Sequence, residues 1–138
     1  MKKFEFLPHT ADVKFLAFGK TLEEAFQNAA LATFATMSTQ KIAKVMKKEI
    51  SVSAHDYQAL LYSFLEELLF LLDTQDFFLS TITITLSQKD DSLFLQAQVY
   101  GDTAKNYGTH TYVKAVTYHE MKIQKEKKFW VIQVILDV

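Results

Sequence analysis

Two aspartates stand where a turn and the end of the sequence could gather carboxylates. Asp12 follows the His9-Thr10-Ala11 corner, and Asp137 precedes Val138, whose α-carboxylate closes the sequence. Carboxylates brought together repel unless a hard cation lies between them, and Ca²⁺ or Mg²⁺ takes oxygen donors of this kind. Spacing along the chain leaves open whether residues 12 and 137 meet. His9 could support such a site or act as a base; an ordinary surface or capping histidine is the plainer alternative. In the Tyr118-His119-Glu120-Met121 run, strand alternation puts Tyr118 and Glu120 on one face and His119 and Met121 on the other. Lys114 could hold a phosphate as a point charge, or simply face solvent. Lys41, Lys44, Lys47 and Lys48 form the most basic stretch, which reads as a solvated face or as a docking patch for an acidic partner or a phosphate backbone.

Much other chemistry is excluded. The chain has no GxGxxG, Walker loop, GxSxG, HExxH or CxxC pattern, which disfavours cofactor-bound and triad enzymes. It has no cysteine at all, so disulfides, thiolate ligands and a thiol nucleophile are absent together. A net charge of −1 with 49% hydrophobic residues is that of a soluble globular protein and not of a basic nucleic-acid coat. The N-terminus lacks the apolar stretch of a signal peptide, and Glu66 and Glu67 interrupt the longest apolar run, so the expected location is the cytoplasm, with no membrane partner.

The elements that must position these residues follow from periodicity. Residues 56–74 show the strongest helical pattern, with eight Leu and Phe side chains from Leu60 to Leu72 on about half of the circumference. A second helix is expected from the Thr21 cap to Met37, opened by the Thr21–Glu24 capping box. Strands are expected at 3–7, 12–18, 49–53, 77–87, 92–100, 113–124 and 129–136, with hairpin turns at Lys89-Asp90-Asp91 and at 125–128. Residues 101–112 have neither period and read as the longest loop. A chain of 138 residues with this order makes one α+β domain over 1–138, a two-layer arrangement of mostly antiparallel β-sheet packed with two helices.

Five stretches in order and register carry a resemblance to a known family: His9-Thr10-Ala11-Asp12, the Leu22–Phe26 run, the Leu60–Leu68 run, the Val113–His119 run and the closing Asp137-Val138. Together they resemble the archease family over the whole length. The resemblance implies an accessory protein that is not itself an enzyme. Such a protein activates the GTP-dependent RNA-splicing ligase that joins 2′,3′-cyclic phosphate or 3′-phosphate ends to 5′-hydroxyl ends, as in tRNA splicing, and promotes ligase guanylylation and repeated turnover. It also implies a divalent metal site, with Ca²⁺ favoured and Mg²⁺ or Mn²⁺ as alternatives, made by Asp12, Asp137 and the Val138 carboxylate. His9, Lys114, Tyr118, His119 and Glu120 then become supporting or partner-contact residues, and any RNA contact is weak or indirect. Two features depart from the family pattern: residues 102–112 lack its Asp-Pro type turn, and Glu120 stands where an aspartate is common. A chaperone-like binder of RNA-modifying enzymes and a small metal-dependent hydrolase, with His9 or His119 as base, are the alternative readings.

Overall fold

A computed structural model describes residues 1–138. The elements run β1 (Phe4–Leu7), β2 (Val13–Gly19), α1 (Leu22–Ala35), β3 (Met46–Ala54), α2 (Tyr57–Gln75), β4 (Phe77–Lys89), β5 (Ser92–Thr103), a single 3₁₀ turn (Ala104–Asn106), β6 (Ala115–Lys125) and β7 (Trp130–Asp137). This is the α+β order expected from periodicity. The strands divide into two antiparallel sheets, β1-β2-β7-β6 and β3-β5-β4. Each helix touches both: α1 meets β1, β2, β7 and β4, and α2 meets β3, β4, β5 and β6. One cluster of 33 buried apolar residues joins helices and sheets.

Helix α1 is more enclosed than its sequence pattern suggests, since none of its residues is exposed. Ala25, Ala29, Ala30 and Ala32 are fully buried, and their small side chains let both sheets approach. Two polar residues that widen this buried surface are paired: Asn28 Nδ2 donates to the Phe18 carbonyl at 2.6 Å and Thr33 Oγ1 to the Ala29 carbonyl at 2.9 Å. Thr21 caps the helix by accepting from the Glu24 amide at 3.1 Å, while the Glu24 carboxylate takes the Lys20 amide at 2.9 Å. Helix α2 carries the broad apolar arc read from its sequence and leaves Phe70 exposed on its open side. Its cap is Asp56, whose Oδ1 accepts from the Ala59 amide at 2.7 Å. No helix is long and apolar enough to cross a membrane.

Several boundaries differ from expectation: α1 ends at Ala35, β3 begins at Met46 and β6 begins at Ala115. Strand β5 continues to Thr103, inside the stretch expected to be loop, because Gly101 lies against the β4 backbone; a Cβ there would stand 2.0 Å from the Phe78 carbonyl oxygen. Strand β6 is interrupted. It pairs with β7 at Thr117↔Ile135 and again at Lys122↔Gln133, so residues 118–121 bulge opposite Val134, with Glu120 in the left-handed region at φ 53°.

Candidate functional site at the carboxylate corner

The beginning of β2 and the end of β7 lie side by side. Val13 pairs with Leu136, so the antiparallel register carried one residue further sets Asp12 beside Asp137. Phe15, Ala17, Val134 and Leu136 face the core, which leaves Lys14 and Asp137 on the outer face of the four-stranded sheet. The His9-Thr10-Ala11 corner is exposed, as its sequence suggests, and Ala11 turns the chain with φ 68°. Val138 packs its side chain against the core.

The β6 bulge arches over the same face. Gln133 Nε2 donates to the Glu120 carbonyl at 2.8 Å, and the Glu120 carboxylate accepts from Lys14 Nζ at 3.2 Å. His9 lies between two acids, with Nδ1 4.0 Å from Asp12 and Nε2 3.8 Å from Glu120. These separations make a field and not hydrogen bonds. His119 Nε2 stands 3.4 Å from the Glu120 carboxylate and is mostly exposed. The Lys14 hydrogen bond, then the Lys14 charge, hold the Glu120 carboxyl below the usual carboxylate range, with His119 and His9 adding smaller contributions.

The structure overturns the shared face expected for Tyr118 and Glu120. The bulge breaks the two-residue alternation, so Tyr118 turns toward α2 and stacks on Tyr62, with centroids 4.4 Å apart and rings 9° from parallel. Glu120 instead joins Lys14 on the outer face. Burial raises the Tyr118 hydroxyl pKa above its ordinary value, and the negative fields of Tyr62 and Asp56 add to the shift. Lys114 is exposed beside the corner, where its amide donates to the Asp137 carbonyl at 2.8 Å.

The corner therefore gathers His9, Asp12, Lys14, Asp137, His119 and Glu120, with Lys114 at its margin. Nowhere in the molecule do three His, Asp or Glu side chains stand close enough to hold a metal ion among themselves. Asp12 and Asp137 alone make an incomplete ligand set. A set of oxygens only suits a hard divalent cation.

Comparison with known proteins decides the family. The model of the Archease protein family matches residues 4–138. The chain belongs to the archease family. Among other archeases, that of Sulfurisphaera tokodaii is 35% identical over the full length of both chains. That of Pyrobaculum islandicum is 40% identical over 94% of this chain and 91% of its own. The solution structure of a Methanobacterium thermoautotrophicum protein, 38% identical and aligned over all of both chains, superposes with a TM-score of 0.88. An archease from Thermotoga maritima, described as a possible chaperone, is 15% identical over 96% of this chain and 94% of its own. With a TM-score of 0.63, it shares the fold.

Three residues that shape this archease site were not singled out by sequence reasoning. Lys14 stands two residues after Asp12 and so shares its face in a strand, the one signal that pointed to it. Tyr62 and Glu66 lie on α2, and nothing local links them to β6. There Tyr62 receives Tyr118, and Glu66 Oε2 accepts the Val116 amide at 2.8 Å, capping a free strand edge.

Proposed function

We propose that this archease activates the GTP-dependent RNA ligase that joins 2′,3′-cyclic phosphate or 3′-phosphate ends to 5′-hydroxyl ends in tRNA splicing and RNA repair. It acts as an accessory protein in the cytoplasm, promoting ligase guanylylation and repeated turnover without catalysing a reaction itself. Asp12, Asp137 and the Val138 α-carboxylate hold a divalent cation, Ca²⁺ in the first instance and Mg²⁺ or Mn²⁺ as alternatives. His9, Lys114, Tyr118, His119 and Glu120 form the surrounding contact surface.

The observation that carries the reading is the β2–β7 register, with Val13 opposite Leu136 and an aspartate next on each strand. A divalent cation supplies concentrated positive charge at such a corner. Lys14 fixes Glu120 before any partner arrives, and His119 stands beside that carboxylate. Charges held in advance need no reorganisation when a phosphate or a metal-bound nucleotide on the ligase meets them.

The test is guanylylation of the ligase followed with labelled GTP in a single turnover. The ligase–nucleotide adduct is expected to form faster with the archease present. An adduct rate that the archease leaves unchanged at every divalent-metal concentration would contradict the proposal.

A further inference from the structure

We propose that the groove between the free edges of β1 and β4 docks an extended segment of a partner protein, with alternating apolar and acidic side chains, by strand addition. This site lies at the other end of β1 from the carboxylate corner and does not depend on the ligase reading.

The groove has a cavity of about 550 Å³, lined by Phe4, Leu31, Phe34, Ile42 and Phe78. It continues past Lys3 and Thr81 into a second hollow of about 380 Å³ reaching Ile82. Volumes of this size are those of ligand clefts. Neither β1 nor β4 has a second strand neighbour.

The phase of each edge is fixed by one hydrogen bond. The Phe18 amide donates to the Lys3 carbonyl at 2.9 Å, so Lys3, Glu5 and Leu7 turn their backbone groups to β2, and those of Phe4 and Phe6 point away. On the other side, the Ile84 amide donates to Gln27 Oε1 at 3.1 Å, so Ile84 and, by alternation, Ile82 point away from β5. Gln27 caps Ile84 as Glu66 caps Val116, yet no side chain caps Phe4 or Ile82. Open edge groups of this kind are the template that an incoming strand pairs with.

Charge selects the occupant. Lys3 and Lys41 line the groove, are exposed and form no ion pair. Lys44 beside them rests its ammonium 5.3 Å from the centre of the Tyr100 ring. Lys2, in the second hollow, is paired with Glu5 at 2.6 Å. The one carboxylate in the lining, Glu24, already accepts the Lys20 amide. An acidic peptide therefore fits better than a basic one. Single-stranded RNA fits less well, because Phe34 and Phe78 pack edge-to-face at 5.0 Å and are 2% exposed, which leaves the half-buried Phe4 as the one ring of the lining for a base to meet, too few for a stacking platform.

The experiment uses the full ¹⁵N-labelled chain and an acetylated, amidated octapeptide of alternating valine and glutamate. Saturable shifts are expected at the amides of Phe4, Phe6, Ile82 and Ile84. Replacing the peptide glutamates with lysine, or Lys3 and Lys41 of the protein with glutamate, should weaken binding about tenfold, roughly 1.4 kcal/mol. N-methylation of alternate peptide amides should weaken binding in either phase, because one phase faces β1 and the other faces β4. Absence of shifts at millimolar peptide, undiminished binding of both N-methylated peptides, or shifts of these amides by a single-stranded RNA but not by the peptide would each overturn the proposal. Failure of ligase activation would not bear on any of these readings.

Discussion

Lys14 Nζ stands 3.2 Å from Glu120 Oε1, tying the first turn of β2 to the bulge of β6 across the outer face of the sheet. Removing the lysine removes the chief cause of the low Glu120 pKa. A carboxyl whose folded pKa is depressed contributes stability above its unfolded pKa and loses it as pH falls through the folded value. In Lys14→Met the Glu120 carboxyl should therefore titrate at higher pH than in the unaltered chain, as read by carboxyl ¹³C shifts. An unmoved midpoint would show that Lys14 does not govern this acid.

Asp102 is nearly buried and takes three donors: the Tyr107 hydroxyl at 2.7 Å, the Thr103 amide at 2.7 Å and Asn106 Nδ2 at 3.5 Å. The Tyr107 bond first, then that of Thr103, lower its pKa. Tyr107 also accepts the Ala43 amide at 3.0 Å, so one hydroxyl pins the segment after β5 to the chain before β3. Tyr107→Phe removes both bonds. The sign is again that of a depressed carboxyl, whose stabilisation is present above its unfolded pKa. The variant should have a lower urea midpoint at neutral pH, and the difference should shrink as pH falls through the folded pKa. A difference that is constant with pH would assign the loss to packing and the Ala43 bond and not to the Asp102 carboxylate.

Gly101 and Gly108 should respond very differently to the same change. A Cβ on Gly101 would stand 2.0 Å from the Phe78 carbonyl oxygen, a backbone atom held in the β4–β5 ladder, whereas on Gly108 it would meet only Gln40 Nε2 at 4.0 Å. Gly101→Ala should cost about 3 kcal/mol in urea unfolding, and Gly108→Ala no more than about 0.5 kcal/mol. Equal costs would mean that the β4–β5 contact relaxes freely.

Elements with strong local signals were legible in the sequence. The Thr21–Glu24 capping box, the α2 arc, the Asp90 turn and the alternation of β5 all follow from side-chain pattern within a few residues. Non-local features were less so. The division of seven strands into two sheets depends on which strand meets which, and α1 looks like a modest helix because alanines bury completely while adding little to an apolar stripe. Asp12 and Asp137 were visible as candidate chemistry, whereas the pairing that runs their two strand ends side by side, with Val13 opposite Leu136, carries no local signal. The β6 bulge carries no glycine or proline to announce it, and Glu120 takes a positive φ that its sequence context does not signal.

The most direct test of the carboxylate corner is multiple-turnover ligation by the RNA ligase with this archease, with Asp12→Ala and with a variant carrying one residue added after Val138. Urea midpoints are measured alongside to establish that each variant is folded. The unaltered chain should stimulate turnover, and each variant should lose about tenfold or more of that stimulation while staying folded. Stimulation that survives both changes would contradict the corner as the working site.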